Sequence, residues 1–490
     1  MRTCIAAPPV GAATPAVTDG SNATLRPWLP RLAAAIALLL LSPAWSASAD
    51  DLAGRGHVLP AGTEIDGESL FQPREIFRSE AAGGIKSYAV KLGDMAFNAP
   101  GILGGPARKA GISCGTCHVN GTTQPTLFIP GMSTRPGNFD TTGPFFNPAA
   151  DNGVLDPVTI PSLRGARYLA PYGHDGRSAS LRDFVRNVIV NEFAGPEPSP
   201  SLLDAIVAYI EDIDFLPNRR LGPDGQLAGP VSDSERRGQS LFFRPFAHDP
   251  QLSCAACHVP SGAFADHRQH DVGSGGLFKT PTLLNANFNG PYFHDGRYGT
   301  YAEVVVHFDR IFYLGLSAQD RQDLVAYLNA IGDGEQPYER DSVDLRMAEI
   351  DEFVSILDRA IPEHDAAVIA LTIDTVDREL RALTGQFLSQ SAATPPEGKA
   401  KQDAARTALL DLMLNVHPIV EAAEANAFDA AAAALANYWV RSAEALPLVK
   451  AAEPWSLLNP AIHDAHIATL AQLRRQEASA MQKRDRQDHD

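Results

Sequence analysis

"GISCGTCHVNG" (111–121) and "LSCAACHVPSG" (252–262) each carry Cys-x-x-Cys-His, and together they use four of the five cysteines in 490 residues. On a helical turn, positions i, i+3 and i+4 share a face. The set therefore reads as a c-type haem attachment site, in which two thiols form thioethers and the next residue supplies an axial nitrogen. Cys114, Cys117 and His118 would hold one haem, and Cys254, Cys257 and His258 the other. A zinc site would want four ligands clustered in one short segment, and these pairs lie far apart. A thioredoxin-like pair needs no histidine and sits in a βαβ setting. The reading is two covalently attached haems c.

The repeat extends beyond the cysteines. "IPSLRGARYLAPYGHDGR" (160–177) and "TPTLLNANFNGPYFHDGR" (280–297) agree at nine of eighteen positions, His174/His294 and Arg177/Arg297 among them. Helical text follows each block, "SLRDFVRNVIV" (180–190) and "TYAEVVVHFDR" (300–310). An amphipathic helix closes each half, "SLLDAIVAYIEDI" (201–213) and "AQDRQDLVAYLNAI" (318–331). Entry segments "LGDMAFNAP" (92–100) and "GQSLFFRPF" (238–246) precede the haem sites. The Pro- and Gly-rich stretch 215–235 reads as a linker. The insert 132–153 reads as turns lying over the haem or the interdomain surface. From about 341 cysteine stops and alanine rises, predicting a bundle of four or five helices with a loop at 388–403. His364, His417, His463 and His466 there read as ordinary core or surface histidines.

The expected fold class is mainly α, with two cytochrome c-like haem domains (50–220 and 221–340), then a C-terminal helical region (341–490). Residues 1–49 read as a signal peptide: Arg26 and Arg31, the apolar run "LAAAIALLLL" (32–41), and a cleavage site near Ala49. That run is short for a membrane span, and no other run is apolar for long enough. The mature chain is expected to be periplasmic, without a span. A net charge of −17 argues against a nucleic-acid partner.

The two Cys-x-x-Cys-His sites, "TPTLLN", and "PYFHDGR" followed by "TYAEVV" resemble the bacterial dihaem cytochrome c peroxidases and the related methylamine-utilisation dihaem enzymes. The resemblance covers roughly 85–335 and is strongest in the second half. It implies that haem 1, in the first domain, meets hydrogen peroxide, and that haem 2 relays electrons from a small redox protein (a cytochrome c, cupredoxin or quinoprotein). Peroxide chemistry needs an open or labile iron position and a nearby acid or base. By this resemblance Glu192 is the acid–base candidate, and His174 replaces the tryptophan that lies between the haems in the peroxidases. The family's distal ligand to haem 2 falls on Phe308, which cannot bind iron. The adjacent His307 is the substitute candidate, although a helix turns about 100° per residue.

His270 matches a recurrent "HDVG", as a haem-pocket residue or a loop organiser, and His267 is expected to be exposed. Met132 is a thioether candidate for haem 1. Arg177 and Arg297 either pair with haem propionates or stabilise their Asp-Gly turns. Peroxidase relatives carry calcium between their domains, and the Asp- and Asn-containing linkers here leave room for it without indicating it. Two other functions remain open: a dihaem electron carrier, and an enzyme acting on a protein or organic partner with the C-terminal tail as docking element.

Overall fold

The two repeats build the same helix crossing twice. In the computed structural model, α1 (Tyr88–Phe97) precedes the first haem turn, α2 (Cys114–Cys117). After α2 come α3 (Leu181–Asn187) and α4 (Pro200–Asp212). The second half runs α5 (Asp233–Phe243), the haem turn α6 (Cys254–Cys257), α7 (Tyr301–Ile311) and α8 (Ala318–Gly332). Helix α1 crosses α4 at Gly93, where any Cβ would come within 1.9 Å of the Ala205 carbonyl. Helix α5 crosses α8 at Gly238, with the same 1.9 Å approach to the Asp323 carbonyl. One turn on, an aromatic pair seals each crossing: Phe97–Tyr209 at 5.0 Å and Phe242–Tyr327 at 5.1 Å. Ser180 and Thr300 cap α3 and α7 by accepting from Asp183 N and Glu303 N.

The structure describes residues 59–65, 72–81, 83–334, 341–388, 395–466 and 468–469. The predicted signal peptide and Cys4 lie outside them. Among the described residues, no helix is long and apolar enough to cross a membrane.

The chain is mainly helical. Its strands are two-residue ladders: β1 (Ile76–Phe77) pairs with β4 (Ile213–Asp214), β2 (Asn138–Phe139) with β3 (Val158–Thr159), and β5 (Gln269–His270) with β6 (Phe278–Lys279), all antiparallel. The stretch read as a linker is laid onto the second half: Tyr327 Oη donates to Gly225 O at 2.6 Å, and Asn218 Nδ2 to Ala330 O at 2.8 Å.

Four long helices follow: α9 (Val343–Val354), α10 (Ala366–Gly385), α11 (Pro396–Glu424) and α12 (Phe428–Ala452), with a single turn at Leu357–Ala360. Within the stretch 388–403 expected as a loop, residues 396–403 are helical. Helix α11 already begins at Pro396, a residue suited to a first helical turn, and Glu397–Lys401 pair at 2.8 Å along it. These helices share one apolar core with the first half, since Leu92, Met95 and Ala205 are buried together with Val343, Ile350, Ile373 and Leu380. Arg74 ties the two regions by ion pairs to Asp341 (2.7 Å) and Glu349 (3.2 Å).

Candidate functional site

Each haem turn is followed by a histidine that leaves the helix, with backbone angles near −102°/65° at His118 and −89°/72° at His258. His118 Nδ1 lies 3.0 Å from Pro161 O, and His258 Nδ1 lies 3.1 Å from Phe264 O. A carbonyl only accepts, so each Nδ1 carries the proton and Nε2 keeps its lone pair for a metal. Burial pushes His118 down to about 4 and lowers His258 as well, so both rings are neutral. Burial also pushes Cys114, Cys117 and Cys254 up to about 12 and raises Cys257. Such thiols are poor redox nucleophiles, which need thiolate. A thioether sulfur is neutral and suits the same apolar setting. Beside Cys254 lies a cavity of about 290 Å³, lined by Leu241, Arg244, Phe246, Leu314, Leu316 and Leu324. The donors of both turns, and the apolar walls beside Cys254, fit covalently held haem.

The two His-Asp-Gly-Arg turns meet at a seam and exchange equivalent bonds. Thr159 N donates to His294 O (2.7 Å), and Lys279 N donates to His174 O (2.8 Å). Asn138 Nδ2 donates to Asp295 O (2.8 Å), and Gln269 Nε2 to Asp175 O. Each turn thus offers its carbonyls to the other half's ladder. His174 Nε2 donates to Thr159 O at 2.7 Å, and burial lowers its pKa. His294 stacks on Phe278 at 3.7 Å. Burial pushes Lys279 down to about 8, with its amine on the carbonyls of Leu169 (2.5 Å) and Pro171 (2.6 Å). The insert reaches the same seam through Asn138 and through Arg135, whose Nη1 donates to Gly296 O at 3.2 Å.

The structure brings Glu192, Arg177 and the His174 turn together. Helix α3 ends in a π-helical turn, Val188–Glu192, a form frequent at functional sites. Glu192 Oε1 accepts from Arg177 Nη2 (3.1 Å) and Asn187 Nδ2 (3.2 Å), and Arg177 Nη1 pairs with Asp175 (3.0 Å). Arg297 is likewise held in its own turn, by Asp295 at 2.9 Å and the carbonyls of Gly273 and Ser274. Met132 is buried in the apolar cluster against which Cys114 and Cys117 pack.

The two histidine candidates near haem 2 are already engaged. His307 is buried, with Nδ1 at 2.9 Å from Tyr298 Oη and Nε2 at 2.7 Å from Val272 O. His270 Nε2 meets Asp266 at 2.7 Å, and these two with Cys257 have donor atoms within 4.8 Å of one another. Cys257 belongs to the haem turn, so this cluster adjoins haem 2. His267 is a partly exposed loop residue whose Nδ1 reaches Ala170 O (2.9 Å).

Sequence reasoning missed Arg164, which is 1% exposed and donates to the carbonyls of Pro73, Arg74 and Asn120. Its only signal was an arginine standing where the second repeat has Leu284.

Residues 233–376 match the family model described as "Di-haem cytochrome c peroxidase". The chain is 26% identical over 333 residues to hydrazine synthase subunit gamma of Kuenenia stuttgartiensis, covering 56% of this chain and 84% of that protein. It is 29% identical over 131 residues to methylamine utilization protein MauG of Methylorubrum extorquens (21% of this chain, 35% of that protein). It is 40% identical over 73 residues to cytochrome c551 peroxidase of Pseudomonas aeruginosa (14% and 21%). These matches support the dihaem cytochrome c peroxidase and MauG superfamily for this chain. With the two Cys-x-x-Cys-His turns, they give two covalently bound haems c and the chemistry of an oxidoreductase.

Proposed function

We propose that the chain is an exported, periplasmic oxidoreductase that reduces hydrogen peroxide at haem 1, with electrons from a small redox protein relayed through haem 2. In this reading 50–220 and 221–340 are cytochrome c-like domains, and 341–490 is a helical region built onto the first. One contrast carries the proposal. Counted from the helix caps Ser180 and Thr300, Glu192 and Phe312 hold the same place in the two halves. The first half offers a fixed carboxylate there, and the second an aromatic ring stacked on Phe308. Only the first is equipped for proton transfer.

The haems, when bound, supply iron that changes by single electrons. Peroxide takes up two electrons and two protons and leaves as two waters. Arg177 and Asn187 fix Glu192 through Oε1. Its carboxylate can then take a proton from one peroxide oxygen and return it to the other as the O–O bond breaks. His174, neutral and hydrogen-bonded, orders the seam between the haems. Met132 is the candidate labile ligand of haem 1. His307 or His270 would have to release a protein partner before binding the iron of haem 2.

The relative matched over most of its length is named a hydrazine synthase subunit, which favours a second reading: a dihaem subunit working with a partner protein or on an organic substrate. Carbon monoxide binding to the fully reduced protein, followed at the Soret band, separates these. A shift of one haem in two, together with donor-dependent peroxide consumption, supports the peroxidase. A shift without consumption favours the second reading. No shift at either haem leaves an electron carrier.

A further inference from the structure

We propose that Arg378, on α10, is a positioning residue for haem 1: it grips the Cys114–Cys117 turn from behind and holds the reduction potential of that haem up. The inference goes beyond the peroxidase reading and rests only on haem attachment at this turn.

Two prongs from the C-terminal helices converge on Asn98, just past α1. From α10, Arg378 Nη1 donates to Asn98 O (3.2 Å), and Nη2 reaches Thr116 Oγ1 (3.4 Å). Thr116 lies between the two haem cysteines, and its Oγ1 also accepts from Ser113 N at 3.0 Å, closing the cap of the turn. From α9, Glu352 pairs with Lys86 (2.8 Å), and Lys86 pairs with the buried Asp94 (3.0 Å). Asp94 Oδ1 in turn accepts from Asn98 Nδ2 at 3.2 Å. Asn98 is pressed against the turn itself, since a Cβ on Gly115 would come within 2.1 Å of its Oδ1. The second half has no such grip on the matching residue, because Ala256 replaces Thr116 and is exposed.

The charges fix the direction of the effect. Arg378 has a side chain 24% exposed, so water screens its charge only in part. A cation beside the haem turn favours the reduced iron, which carries one positive charge fewer. Glu379 pairs with Arg378 and stands 3.7 Å from Arg346. Loss of Arg378 therefore withdraws a cation and also leaves a less compensated anion. Both changes favour the oxidised haem. Neutralising Glu379 has the opposite sign.

The test is a spectroelectrochemical titration of the holoprotein, with the two haems distinguished by their separate EPR signals. R378Q should lower the reduced-to-oxidised ratio of haem 1 about tenfold at a given ambient potential, about 59 mV for one electron, and leave haem 2 unmoved. R378K, which keeps the charge and loses the fork, should stay within about twofold of the parent. E379Q keeps the Arg378 contacts and should raise haem 1; it also serves if R378Q does not fold. An unmoved haem 1 in R378Q, equal shifts of both haems, or a lowered haem 1 in E379Q would overturn the proposal.

Discussion

The two halves share a helix crossing, a haem turn and a seam-forming loop, yet they treat their haems differently. In the first half, a buried bond network ties the haem turn to the C-terminal helices, and a carboxylate on a π-helical turn is presented by an arginine and an asparagine. In the second half, the haem turn is more open, and Phe293, Tyr298, Phe308 and Phe312 surround or extend from the buried His307. In the proposed reading, the duplicated scaffold gives one haem a proton-handling group and leaves aromatic rings at the matching place in the other half. The difference lies in a few positions that the repeat aligns, Glu192 against Phe312 and Thr116 against Ala256.

The largest effect that tests this contrast is catalytic. E192Q keeps the shape and loses the base, so peroxide turnover should fall about 10²- to 10³-fold, within the usual range for a general acid–base. Haem content and the spectrum of haem 2 should not change. Stopped-flow peroxide consumption with a reduced donor measures it. Turnover within threefold of the parent would remove Glu192 from the mechanism and with it the proposed asymmetry.

A stability effect follows. K86M leaves Asp94 buried without its cation, a change that typically costs about 3–5 kcal/mol. Asp94 is already raised by burial despite Lys86 at 3.0 Å, so it has no spare solvation to fall back on. Urea unfolding should show the loss, and the spectrum of haem 1 should broaden before that of haem 2. Equal loss at both haems would mean that the C-terminal helices support the whole molecule and not the first half in particular.

His307 gives a smaller effect that sharpens the second half. H307F should leave the spin state of haem 2 unchanged, since both ring nitrogens are held by Tyr298 and Val272. It should cost about 1–3 kcal/mol through the partners left unpaired. Conversion of haem 2 to high spin would identify His307 as its ligand, with the Val272 contact exchanged for iron.

Most of the scaffold was legible in the sequence because its signals are local. The Cys-x-x-Cys-His sites and the repeated His-Asp-Gly-Arg block each fit within a few residues. What escaped was set by long-range contact. The ties on His307 come partly from a carbonyl 35 residues away, and the Arg378–Thr116 contact spans 262. The extra turn that swings Glu192 toward Arg177 follows from a π-helical register that no propensity marks. The C-terminal helices read as an appendage because their alanine-rich text says nothing about which neighbour buries Leu92 and Met95.

The smallest expected effect concerns pH. His417 on α11 faces Asp377 of α10 at 3.5 Å, with Arg381 and Glu421 nearby, and Asp377 raises its pKa. A raised histidine favours the folded state while it is protonated. Its contribution is full below the unfolded value of about 6.5 and fades as pH rises through the raised folded value. The side chain is 46% exposed and Arg381 competes for the same carboxylate, so screening limits the contribution to about 0.3 kcal/mol. Thermal unfolding of H417Q should therefore fall slightly below the parent at pH 5.5 and coincide with it at pH 8.5. A gap that persists at pH 8.5 would mean that the imidazole acts through packing and not through its charge.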